Sequence, residues 1–117
     1  MIIAVDRVDS RLQEATAFGA NHTINTATLG SRALSDAVQS LTPGGPSIVI
    51  DTAGAPAVLE EALESMQQRG KLVLIGVPPL GYKLPLNVIT HINVSLVDEC
   101  VIQLISWGVN LRSLTHF

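Results

Sequence analysis

Three short stretches carry residue types that could do chemistry. Asp6 directly follows the apolar, β-branched run Ile2 to Val5, with Arg11 about one helical turn further on. Asp51-Thr52-Ala53-Gly54 puts small residues after a second apolar run, and Ile75-Gly76-Val77 precedes two prolines. An acidic side chain at a strand end accepts hydrogen bonds from the two adenosine ribose hydroxyls in a dinucleotide fold, and its charge opposes a 2′-phosphate. The plainer alternative for Asp6 is a turn or helix-start residue, and for Arg11 a solvated cation. Small residues after a strand let a flat ring lie against backbone, or simply make a tight turn. Bare backbone groups at Ile75-Gly76-Val77 suit a carboxamide, or the end of a strand.

Other candidates carry less. His22, His91 and His116 are far apart, and none has metal-ligand spacing with another or with Cys100. They read as structural residues, Cys100 as a small core residue, and Glu60-Glu61-Glu64 as a solvated helix face. No Ser-His-Asp or paired-carboxylate pattern stands out, so no catalytic side chain is assigned and no tight zinc binding is expected.

The elements that must position these residues follow from periodicity. Ile2 to Val5, Ser47 to Asp51 and Lys71 to Val77 are unbroken apolar runs, expected as strands buried on both faces. His22 to Asn25 is a short additional strand. Asp9-Ser10 offers a helix cap before Leu12, Ala15, Ala17 and Phe18, and Gly19 offers a stop. Ser31 to Leu41 and Ala57 to Gln68 read as amphipathic helices. Leu80 to Thr90 reads as a loop with room for an edge strand, and Ser95 to Gly108 as a helix. Strands alternating with helices of this length indicate an α/β fold, a parallel sheet with right-handed crossovers. In such sheets ligands bind at the C-terminal strand ends, where the three stretches lie.

Composition limits the partners. In 117 residues, 47% are hydrophobic and only 15% charged, which fits one α/β domain with some surface covered by protein. A net charge of -3 with scattered basic residues argues against nucleic acid or an anionic membrane as partner. No apolar run approaches the roughly 20 residues of a membrane span. One cysteine allows no internal disulfide, and the first residues lack signal-peptide order, so a cytoplasmic protein is expected.

Taken together, "IIAVDRVDSRLQEATAFGANHTIN", "IVIDTAGAPAVLEEALESMQQRGKLVLIGVPP" and "LRSLTHF" resemble, in order and spacing, the coenzyme domain of zinc-type alcohol dehydrogenases of the medium-chain dehydrogenase/reductase superfamily. The resemblance implies an incomplete Rossmann-like parallel sheet with flanking helices. It implies NAD as the dinucleotide, with Asp6 on the adenosine ribose and Arg11 beside it. Thr52, Ala53 and Gly54 would flank the adenosine, and Ile75, Gly76 and Val77 would meet the nicotinamide and its carboxamide.

The family's first strand and glycine-rich turn should precede Met1, and G-x-G-x-x-G does not occur. The zinc-bearing catalytic domain is missing as well, and the segment from Leu80 to Asp98 is shorter than the family's. The resemblance therefore implies part of an enzyme that moves a hydride between an alcohol or aldehyde and NAD, with zinc as Lewis acid, inactive as this chain alone. Two alternatives are an interaction module pairing with itself as a homo-oligomer, or with a full-length dehydrogenase, through exposed sheet edges, and a small α/β domain for another nucleotide. In the strand order 3-2-1-4-5-6 the absent strand is central. Its neighbours would face a gap of roughly 10 Å, which either closes or is filled.

Overall fold

The computed structural model describes residues 1–85 and the backbone of a strand at Ser95–Asp98. In chain order the elements are β1 (Ile3–Asp6), α1 (Asp9–Ala17), β2 (His22–Asn25), a 3-10 turn (Thr26–Thr28), α2 (Leu34–Leu41), β3 (Ile48–Asp51), α3 (Pro56–Ser65), β4 (Lys71–Leu74) and β5 (Ser95–Asp98).

All strand pairs are parallel, in two sheets. In the first, β1 pairs with β2, Ile3 opposite His22 and Asp6 opposite Asn25. In the second, β4 lies between β3 and β5, with Ile48 opposite Lys71 and Lys71 opposite Ser95. Helices connect β1 to β2, β2 to β3 and β3 to β4, the connections that parallel strands require. The layout is an α/β, Rossmann-like arrangement whose sheet is interrupted between β1 and β3.

Local signals account for most boundaries. The α1 helix ends in a Schellman motif: the Gly19 N–H donates to the Thr16 carbonyl and the Ala20 N–H to the Ala15 carbonyl, with Gly19 at φ +109°. Pro56 opens α3 at its first turn, where the missing N–H costs nothing. Asp9 is not the cap of α1 but lies in its first turn after Val8, where a carboxylate favours the helix dipole. Of the apolar face expected on α1 only Leu12 is buried, and Phe18 is exposed.

One cluster joins the halves: Ile24 of β2 packs with Leu34, Ala37 and Val38 of α2, and Ile3, Leu29, Leu41 and Val58 close around it. Leu59, Ala62 and Leu63 of α3 and Leu72 of β4 are also buried. A polar contact clamps α2 to α3, because Glu61 Oε2 accepts the Ser35 N–H at 2.9 Å. Ser35 lies in the first turn of α2, where N–H groups lack intrahelical partners. Glu61 is therefore a cap supplied from a neighbouring helix. Glu60 is also engaged, accepting the Tyr82 hydroxyl at 3.0 Å.

Two expectations fail. The apolar strands are not buried on both faces: Ile48 and Ile50 are 58% and 60% exposed. They border the interruption, where no described element covers them. Ser95–Asp98, expected within a helix, is a strand beside β4. The pairing with β4 supplies backbone partners that override the short helical spacing of Val97 and Val101. Cys100, His91, His116, the remainder of the expected helix to Gly108 and the "LRSLTHF" stretch lie outside the described residues.

Candidate functional site

The parallel arrangement sets the ends of β1, β3 and β4 as the places where backbone leaves the ladder, and the three candidate stretches occupy them.

At the end of β1, Asp6 closes a turn on itself. Its Oδ1 accepts the N–H groups of Arg7 at 2.7 Å and Val8 at 2.9 Å, and Oδ2 lies 3.6 Å from Arg11 Nη1. The hydrogen bond from Val8, with that from Arg7 and the charge of Arg11, outweighs partial desolvation and holds the carboxyl below its ordinary pKa. Both readings of Asp6 thus meet in one side chain: Oδ1 is committed to the turn, while Oδ2 has only a loose ion pair among the described residues. The Arg11 side chain is largely exposed, 68%, on the first turns of α1.

At the end of β3, Asp51 organises the turn. It is buried, and its Oδ2 accepts the Gly54 N–H at 2.8 Å. Its carbonyl accepts the N–H groups of both Ile75 at 2.8 Å and Gly76 at 3.0 Å, tying the ends of β3 and β4 together. The sequence signal for this role is an aspartate three residues before a glycine, a local side-chain to backbone bond that short polar residues favour at turns. From the sequence the stretch stands out for its small residues, and Asp51 carries no expected role.

Gly54 and Gly76 approach each other directly. A Cβ on Gly54 would stand 2.5 Å from the Val77 carbonyl oxygen, and one on Gly76 would stand 2.6 Å from the Ala53 carbonyl carbon. Thr52 and Ala53 are exposed, as are Ile75 and Val77.

The candidate residues therefore fall into two groups. Thr52, Ala53 and Gly54 meet Ile75, Gly76 and Val77 at one end of the second sheet. Asp6 and Arg11 form a pair at the end of the first. Between the sheets runs a cleft of about 650 Å³, bordered by Ile2, Ile3 and Val5 on one side and Ser47 to Ala53 on the other. Among the described residues no three His, Cys, Asp or Glu side chains cluster as metal ligands. The arrangement offers a carboxylate acceptor, a small-residue turn and apolar surface. Within the described residues, no helix is long and apolar enough to cross a membrane.

Residues 1–107 match the family described as zinc-binding dehydrogenase. A sorbitol dehydrogenase of Bacillus subtilis (strain 168) is 37% identical over 88 residues, covering 74% of this chain and 24% of that protein. Among solved structures, an alcohol dehydrogenase zinc-binding domain protein from Burkholderia ambifaria shares the fold with a TM-score of 0.75 at 30% identity, over 92% of this chain and 32% of its own. An NADP-bound structure from Sinorhizobium meliloti 1021 superposes with a TM-score of 0.75 at 20% identity, over 92% of this chain and 34% of that one. The chain thus spans about a quarter of the curated relative's length and a third of the solved chains.

Proposed function

The chain belongs to the zinc-binding dehydrogenase family, and on that premise we propose that it is part of the coenzyme domain of an NAD-dependent, zinc-type alcohol dehydrogenase. The observation that carries this reading is Asp6 at the end of β1, with Oδ1 held by two backbone N–H groups and Oδ2 left for a ribose hydroxyl. Like any aspartate with an ordinary or lowered pKa, Asp6 is charged at neutral pH, and the charge disfavours a 2′-phosphate, so NAD is preferred over NADP. Thr52, Ala53 and Gly54 flank the adenosine, and Ile75, Gly76 and Val77 lie toward the nicotinamide. Arg11 covers the ribose and holds Asp6 in place. The nicotinamide, when bound, supplies the hydride chemistry.

The rest of that enzyme's chemistry is not carried by these residues. Zinc finds no ligand cluster among the described residues. The chain has no G-x-G-x-x-G turn to hold a pyrophosphate. Charge-assisted hydrogen bonds to such a group contribute roughly 1.5–3 kcal/mol each. Lacking two or three of them weakens binding by several orders of magnitude at about 1.4 kcal/mol per tenfold.

The test is an NMR titration of the 117-residue chain with NAD and NADP, repeated on Asp6→Ala. The expected result is NAD binding no tighter than about 1 mM, weaker binding of NADP, loss of that preference in Asp6→Ala, and no NAD-linked alcohol oxidation. Equal response to both nucleotides would remove the role given to Asp6. A micromolar constant lost on the substitution would show an intact nucleotide site and overturn the account of the pyrophosphate.

A further inference from the structure

We infer that Asp9 and Asn25 are positioning residues of the proposed ribose site: the bond between them sets the first turn of α1 so that Arg11 reaches Asp6. The inference rests on the role given to Asp6 above. Asn25 ends β2 and stands opposite Asp6, the end of β1, in the parallel register. Both ends of its side-chain amide are used. Oδ1 accepts the Ala27 N–H at 2.8 Å, an Asx turn, and Nδ2 donates to Asp9 Oδ1. The Asn25 carbonyl also accepts the Thr28 hydroxyl at 3.1 Å, so the turn after β2 holds the amide in one orientation.

The α1 helix has few other ties. Its N-cap is Val8, which gives no side-chain cap, and of its residues only Leu12 is buried. Among the described residues, the bond from Asp9 to Asn25 is the one side-chain hydrogen bond between α1 and another element. Residues two apart on a helix do not share a face. Asp9 therefore reaches to β2 while Arg11 reaches to β1, and the pair of contacts straddles both strand ends. The Arg11 guanidinium is largely exposed and 3.6 Å from Asp6 Oδ2. Charge alone holds such a pair weakly, so the setting of the helix turn decides where Arg11 points.

The chemistry of the pair allows a test that conserves shape. Asp9→Asn keeps an oxygen to accept from Asn25. Asn25→Asp sets two carboxylates against each other and breaks the bond. The double variant restores one donor and one acceptor with the polarity reversed, and the Ala27 N–H keeps its acceptor. Ser10→Asp, at an exposed position, adds the same charge to the first turn of α1 without touching the pair. Each form of the 117-residue chain is followed by NMR, first through the nuclear Overhauser contact between Arg11 side-chain protons and the Asp6 β-protons, then by titration with NAD and NADP. The expected result is a contact kept in Asp9→Asn, lost in Asn25→Asp and recovered in the double variant, with NAD binding about threefold weaker in Asn25→Asp alone. Signals of the β1 and β2 amides confirm that each variant is folded. A contact that persists in Asn25→Asp, or that a folded double variant does not recover, would overturn the inference. So would an equal loss of NAD binding in Ser10→Asp, which would assign the effect to charge. The expected contact pattern in a chain that binds NAD and NADP alike would uphold the positioning and remove the ribose role of Asp6 instead.

Discussion

Gly76 lies against the Ala53-Gly54 turn so closely that a Cβ on it would overlap the Gly54 nitrogen and stand 2.6 Å from the Ala53 carbonyl carbon. The obstructing atoms are all backbone, so the contact cannot be relieved by a rotamer change. Gly76 does not have a positive φ. Substitution by alanine at such a position normally stabilises slightly by restricting the unfolded chain. Here the sign reverses. Gly76→Ala should lose about 1–3 kcal/mol, the usual cost of overpacking, read as a lower midpoint in urea unfolding. An unchanged or raised midpoint would mean that the two turns separate freely.

The second expectation concerns Asp51. Its buried carboxylate takes the Gly54 N–H. Asp51→Ala leaves that donor without a partner at a cost of about 1–3 kcal/mol. Asp51→Asn keeps an acceptor oxygen and should lose distinctly less. Equal losses in the two variants, measured by denaturant unfolding, would show that the acceptor is unimportant.

Acid sensitivity should trace to Asp6. Its folded-state pKa lies below the unfolded value, chiefly through the hydrogen bond from Val8. The stabilisation is therefore present above the unfolded pKa near 3.9 and is lost as pH falls through the folded value. Asp6→Asn should be less stable than the parent at neutral pH and converge with it once the pH has fallen through the lowered folded-state pKa. Thermal unfolding across that range reads the effect, and a gap that persists in acid would assign the loss to packing rather than to charge.

Glu61 should act as a cap across two helices. Removing its carboxylate in Glu61→Ala leaves the Ser35 N–H at the start of α2 open, at a cost of about 0.5–2 kcal/mol, typical of a lost N-terminal cap. Glu61→Gln retains a carbonyl acceptor and should lose less. Exchange rates at the first turn of α2 give a local readout: they should rise in the alanine variant and stay near parent values in the glutamine variant.

The strand and helix alternation was legible because β-branched runs, helical stripes and turn residues are local signals. Gly19 ends α1 as its sequence position suggests, and β2 falls on His22–Asn25 as read. Burial was less legible. The runs at Ile2 to Val5 and Ser47 to Asp51 look alike to any two-sided buried strand, yet Ile50 is exposed because burial depends on a neighbour in space. Ser95 to Asp98 shows the known ambiguity of short apolar runs, in which helical spacing and strand content coexist. At the candidate site, the positions of Asp6, Gly54 and Gly76 at strand ends could be read. The backbone contact between Gly54 and Gly76, and the service of Glu61 to α2, join residues distant in the chain and leave no local pattern.

The interruption between β1 and β3 also has a bearing on cooperativity. Among the described residues no strand ladder crosses it, so the β1–α1–β2 unit is coupled to the β3–α3–β4 unit through α2, by Ile24 against Leu34, Ala37 and Val38, with Val58 at the margin, and by the Ser35 N–H donated to Glu61. Side-chain coupling of this size is readily lost one half at a time, whereas a continuous ladder tends to open as a unit. The two halves are expected to unfold as separate subglobal units, with exchange at β1 and β2 responding to denaturant differently from exchange at β3 and β4. A single unfolding free energy would then describe neither half.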